Sequence, residues 1–305
     1  METFEKYLEE TLRIPVRDLY EVPTSSKKFP DGANYRIEIA PVQTPETARA
    51  VIEASEEYGV PIHRITETRG IMRLTDKEIE EMIEIAKDAS VELTLSIGPR
   101  AWYDTSAQRA VGTPEAGRIG YRLRGADMLL YAIRDAKRAV DLGCRSLLIY
   151  DEGLLWVLNN MRKDGLLPKE VKLKVSVHCG HGNPASMKVL ASLGADTINP
   201  VADLQLPMIA AIRASVEIPI DLFISMPKST GGFVRICEAP EFVRVGSPVY
   251  LKCGPSEIPT HGVHVTKETA KAFVKEAYLV YQTIKEYYPE AVVSKPGAED
   301  LGIPV

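Results

Sequence analysis

Short β-rich runs separated by longer stretches of helical periodicity constrain this chain more than any other feature, and the cycle repeats eight times. The runs are YRIEIAPV from Tyr35, PIHRITET from Pro61, VELTLSIG from Val91, CRSLLIYD from Cys144, LKVSVHC from Leu173, DTINPV from Asp196, IPIDLFIS from Ile218 and VYLKCG from Val249. Repeated βαβ units of this kind build a parallel sheet. At 305 residues the economical reading is one α/β domain, a TIM-type (β/α)₈ barrel, rather than several. The expected division is an N-terminal arm over 1–34, the barrel over 35–287 and a C-terminal tail over 288–305.

Helix boundaries are written in the same pattern. Thr44-Pro45 and Asn183-Pro184 each supply a cap followed by proline at the first helical position, and Thr75 with Glu78 forms a capping box. Gly194 is placed to close the helix after Pro184, and Thr266 opens the last helix. Two stretches break the cycle: a long polar connection from Gly98 to Gly125, and an irregular run from Met226 to Gly246 where a full helix was due. Long βα connections in compact domains are usually functional loops, so both are expected at the catalytic face.

Within the strands, side chains facing the helices should be apolar, which sends the alternate polar ones into the lumen or its mouth. Arg36 and Glu38, Thr94 and Ser96, Lys174, Ser176 and His178, Thr197 and Asn199, Asp221, Tyr250 and Lys252 all carry that parity. Charges are almost never buried without partners, so Glu38, Asp221, Arg36, Lys174 and Lys252 are expected to pair across the interior.

Composition narrows the classes. A hydrophobic content of 45% allows a sizeable core, and a net charge of −5 removes the basic footprint of a non-specific nucleic-acid binder. No apolar run approaches the roughly 20 residues that cross a bilayer, and METFEKYLEE lacks a signal-peptide core, so a cytoplasmic enzyme without a membrane partner is expected. Cys144, Cys179, Cys237 and Cys253 form no C-x-x-C pair and read as free thiols. A homo-oligomer is expected on general grounds.

Barrels work at the carboxyl ends of their strands, which selects the candidate site. Glu67, Asp151, Glu152, His178 and Lys252 are the candidate catalytic groups; Arg69, Arg100 and Asn199 are candidate substrate contacts. His178, His181 and Glu152 are the candidate ligands of a divalent metal ion, although H-x-x-H in a loop is a weak signal and helix-opening acids also serve as caps. After the seventh strand come Lys228, Ser229, Thr230, Gly231 and Gly232, and after the eighth Gly254 and Ser256, where glycine-exposed N–H groups would hold an anion unless they are simply turns. No nucleotide cofactor is expected, since the Gly-rich pieces match no complete P-loop.

From Tyr35 to about Ser225 the order of features resembles the barrel domain of the collagenase-like peptidase family. The segments that carry it are IEIAPVQTPETARAVIEASEEYGVP, YAIRDAKRAVDLGCRSLLIYDEGLLWVL and VKLKVSVHCGHGNPASMKVLASLGADTINPVADLQL. Asp151-Glu152-Gly153 stands at that family's Asp-x-Gly-like step, and Ser176 to Asn183 at its Ser-x-x-x-Asn-like stretch. The resemblance implies a barrel and hydrolysis of peptide bonds. The family's cysteine cluster is missing here, so no iron–sulfur cluster is expected.

The leading expectation is acid/base chemistry, as a lyase, isomerase or hydrolase, on a small polar anionic metabolite. Alternatives are a peptidase, an aldolase with Lys174 or Lys252 as Schiff-base nucleophile, and a non-catalytic binding subunit.

Overall fold

A computed structural model of the chain describes residues 3–99, 120–260 and 262–305. Eight parallel strands close on themselves: β1 Tyr35–Ile39, β2 Arg64–Thr66, β3 Glu92–Ser96, β4 Ser146–Ile149, β5 Lys172–Val175, β6 Thr197–Ile198, β7 Ile220–Phe223 and β8 Val249–Cys253, with β8 pairing back onto β1. A helix follows each one: α1 Pro45–Tyr58, α2 Asp76–Asp88, α3 Gly125–Asp141, α4 Glu152–Lys163, α5 Pro184–Ser192, α6 Leu206–Ser215, α7 Ala239–Gly246 and α8 Lys267–Tyr287. The chain is a (β/α)₈ barrel.

The expected caps form. Thr44, Thr75 and Asn183 each accept the N3 backbone N–H of their helix and are answered by the N3 side chain, Thr47, Glu78 and Ser186. Gly194 follows α5 with a φ of +105°, where a Cβ would lie 2.1 Å from Asn159. One expectation needs correction: the run from Met226 to Gly246 is not irregular throughout, because α7 occupies its second half. Pro240 sits in its first turn, and Phe242, Val243 and Val245 are buried, so packing sustains a helix too short to announce itself by periodicity.

Strand parity sets what fills the lumen. Ile37, Ile65, Leu93, Leu147, Leu173, Ile198, Ile220 and Leu251 are fully buried in the hydrophobic core. Between them Glu38, Lys174 and Asp221 meet across the barrel: the Lys174 ammonium is 2.5 Å from Glu38 Oε2 and 2.6 Å from Asp221 Oδ2, linking β5 to both β1 and β7. Arg64 lies 3.3 Å from each of those carboxylates and 2.7 Å from Glu92. Hydroxyls complete the set, Thr66 donating to Glu38 and Thr197 to Asp221. A charged interior survives only when each ion finds partners, and this one is cross-strutted.

Arg36 departs from the expected pairing. It points to the amino-end floor, across which residues 288–305 run: its guanidinium grips Asp300 through two hydrogen bonds (2.6 and 3.0 Å) and stacks over Phe29. Gly302 donates its N–H to Glu92, and Val305 to the Gly143 carbonyl. His63 fastens the same tail. Its Nδ1 accepts the Ile37 N–H, so Nε2 carries the proton and donates to the Ser294 carbonyl at 2.8 Å. Burial, helped by the nearby Arg36 charge, lowers its pKa from 6.5 to about 4. No helix among the described residues is long and apolar enough to cross a membrane.

Candidate active site

A cleft opens at the carboxyl end of the barrel, walled by Leu148, Tyr150, Phe223, Met226 and His178, with Lys252 reaching it from β8. Most of these side chains are aliphatic or aromatic. Lys252 is 5% exposed, its ammonium 3.3 Å from Glu38 Oε1 and 4.7 Å from the Phe223 ring centre. Burial lowers its pKa from 10.5 to about 8; Glu38 opposes the shift and the Lys174 charge adds to it. Glu38 itself would be raised by burial, yet Lys174, Lys252 and Arg64 hold it far below the usual carboxylate range.

The two interior lysines therefore differ. Lys174 sits between two carboxylates at short range, whereas Lys252 holds a single longer contact and faces the cleft.

His178 lies just past β5 in a one-turn helix, Val177–Cys179, begun by the Ser176 hydroxyl accepting the His178 N–H. Its ring stacks flat on Tyr121 with centroids 4.0 Å apart, and Tyr150 lies 6.2 Å away within 18° of parallel. An aromatic stack is thus assembled from three separate segments, and its Tyr150 and His178 members line the cleft. Tyr150 follows Ser146 and Leu148 in the inward parity of β4, a signal present in the sequence that the reading from sequence passed over, as it did Arg64 and Glu92.

Glu152 opens α4 and is bound by Arg122 and, at 2.5 Å, by His181 Nε2. Burial opposes its ionisation, but the His181 and Arg122 contacts prevail and hold the carboxyl down to about 2. Asp151 is the α4 N-cap, accepting the Leu154 N–H at 3.1 Å and the Leu123 N–H at 3.3 Å. Neither acid lines the cleft. The expected metal set of His178, His181 and Glu152 does not converge: among the described residues no three His, Cys, Asp or Glu side chains are grouped to hold an ion. His178 is drawn into the tyrosine stack, while Glu152 and His181 satisfy each other.

Glu67 is fully buried and serves its own loop, accepting N–H groups from Arg69 and Gly70 and the Ser96 hydroxyl at 2.7 Å. Arg69 is partly buried, and its Nε has no hydrogen-bond partner among the described residues. Asn199 donates to the Asp221 carbonyl at 2.7 Å. Arg100 lies outside the described residues.

The two Gly-rich loops are arranged differently from an anion cradle. Ser229 donates its N–H to Pro259, Thr230 and Gly232 theirs to Pro227, and Gly231 its own to Lys228. After β8, the Gly254 N–H and the Ser256 hydroxyl go to Glu276 of α8, and the Ser256 N–H goes to Ser225. The protein's own Glu276 carboxylate stands where a substrate anion was expected. Lys228 is exposed, and of these loop residues Thr230 lines the cleft. Among the thiols, Cys144, Cys179 and Cys253 are buried and Cys237 is exposed; burial pushes Cys144 and Cys179 up to about 12, which makes them poor nucleophiles.

No protein-family model matches the chain, and no curated protein matches it. Solved structures do. The U32 peptidase Mk0906 is 16% identical, the match covering 68% of this chain and 74% of that one with a TM-score of 0.42. A truncated 3-deoxy-D-arabino-heptulosonate 7-phosphate synthase from Thermotoga maritima is 12% identical over 89% of this chain and 95% of the other, TM-score 0.47. A 4-hydroxy-2-oxoglutarate aldolase is 12% identical over 81% and 94%, TM-score 0.42. Likeness at this level carries no argument about which reaction this chain performs.

Proposed function

We propose that the chain is a barrel enzyme carrying out acid/base chemistry, of the lyase or isomerase kind, on a small molecule seated in the mouth cleft, with the Lys252 amine as proton acceptor. The observation that carries this reading is one amine at the foot of a largely apolar cleft, with a pKa of about 8. An ordinary lysine at neutral pH is almost wholly protonated and cannot accept a proton. With its pKa near 8, roughly one tenth of Lys252 is neutral at pH 7 and half at pH 8.

Glu38 supports the same role, because its charge 3.3 Å away stabilises the ammonium once the proton has been taken. The walls favour a substrate with an apolar face toward Tyr150, Phe223 and Met226 and a polar, anionic head toward Lys252. A peptidase, which the family resemblance implies, requires an activated nucleophile or a metal-bound water; among the described residues no three His, Cys, Asp or Glu side chains are grouped to hold a metal, and the perturbed group lining this cleft is an amine rather than a hydroxyl or thiol.

The test is turnover of a panel of small carboxylates and carbonyl compounds, followed by NMR, in the parent and in Lys252→Met. A general base contributes about 10²–10⁴-fold, so the variant should lose activity in that range, and the parent's rate should climb as pH rises through about 8. An unchanged rate in Lys252→Met would remove the amine from the chemistry.

A further inference from the structure

We infer that Lys252 acts covalently, forming an imine with the carbonyl carbon of a ketone or aldehyde whose remaining body is apolar. The inference rests on the mouth cleft being the working site; a nitrogen held in an imine no longer accepts the substrate's proton, so the covalent role stands in place of the general-base role. Among the described residues that line the cleft, Lys252 carries the one primary amine; Lys174, the other interior lysine, is locked between Glu38 and Asp221 and does not reach the lining. A nucleophilic amine also needs its surroundings to disfavour the ammonium. Lys252 has them in its burial and in the Lys174 ammonium, which shares Glu38 with it, while its single carboxylate contact to Glu38 works the other way.

The step balances without any co-reactant. The amine lone pair attacks the carbonyl carbon and a C–N bond forms, while the C=O π pair moves to oxygen, which takes up a proton as the nitrogen gives one away. Loss of water from that carbinolamine leaves C=N and one water molecule. Proton exchange at the oxygen needs a nearby group that can give and take protons, and Ser176, Tyr150 and His178 share the cleft wall with Lys252. Leu148, Phe223 and Met226 set the ligand class: they offer an apolar body a surface and a compact polar keto acid little to bind.

The experiment incubates the full chain with phenylpyruvate or with pyruvate, adds sodium borohydride to convert any imine to a stable secondary amine, and reads the adduct by intact mass and peptide mapping. One adduct on Lys252, heavier with phenylpyruvate than with pyruvate and lost in both Lys252→Met and Lys252→Arg, is expected; Phe223→Ala should cut the phenylpyruvate label and spare the pyruvate label. Label scattered over surface lysines, or equal in parent and variants whose circular dichroism matches the parent's, overturns the inference. The two readings fail separately. If no adduct forms while Lys252→Met still abolishes turnover, the amine moves protons only; if Lys252→Met alters neither label nor turnover, the cleft assignment falls as well.

Discussion

Lys174 and Lys252 both reach Glu38, yet their environments make opposite demands on the fold. Lys174 neutralises two buried carboxylates at short range, so Lys174→Met should leave them to the longer contacts with Arg64 and Lys252 and cost about 3–5 kcal/mol. Lys252 is different. Its pKa is lower in the folded chain than in the unfolded one, so between about 8 and 10.5 the unfolded chain binds more protons and stability rises with pH. Below that window the fold bears the cost of a buried ammonium, at most about 3 kcal/mol for a shift of this size. Lys252→Met should therefore be more stable than the parent at pH 7 by about 1–3 kcal/mol, and the gap should narrow as pH climbs from 8 to 10.5. Urea denaturation of both variants at several pH values checks this, and a Lys252→Met protein as unstable as Lys174→Met would contradict it.

The eight strands were legible from alternation because a barrel strand is buried on both faces, with apolar side chains toward the helices and, here, charged ones toward the lumen. Caps were legible for the same local reason, since Thr44, Thr75, Asn183 and Gly194 satisfy or end a helix within four residues of themselves. What escaped depends on distant partners. The Gly254 and Ser256 loop reads as an anion cradle until Glu276, some 20 positions onward on α8, is found occupying it. That carboxylate also receives the Ser225 hydroxyl at 2.7 Å, so it ties the β7 and β8 loops to α8 beside Lys252. Glu276→Ala leaves those donors unpaired and should cost about 2–4 kcal/mol, read by denaturation, because hydrogen bonds to a buried charge are the expensive ones to lose. A change below ~0.5 kcal/mol would show the latch to be idle.

Across the whole molecule, the barrel has a cleft at its mouth and a floor to which the C-terminal tail is tied, with a second, polar pocket between Arg36, Arg64, Glu92 and Asp300. The tail over 288–305 was readable as lying outside the β/α cycle, but its anchorage was not, because Arg36, His63 and Glu92 give no sign in sequence of which distant backbone they will hold. His63 makes that anchorage pH-dependent. Its pKa is about 4 in the folded chain against 6.5 unfolded, so its contribution is complete above about 6.5 and is lost as pH falls toward 4, by about 3 kcal/mol in all. The melting temperature of the parent should fall over that interval more steeply than that of His63→Gln; parallel curves would remove His63 from the tail's anchorage.

The account turns on one amine at the mouth of the barrel. Its most direct test is an NMR titration of the Lys252 side chain in ¹³C,¹⁵N-lysine-labelled protein, with the resonance assigned through Lys252→Arg. A midpoint near 8 is predicted, and a midpoint near the ordinary 10.5 would contradict the proton-accepting and the covalent roles alike.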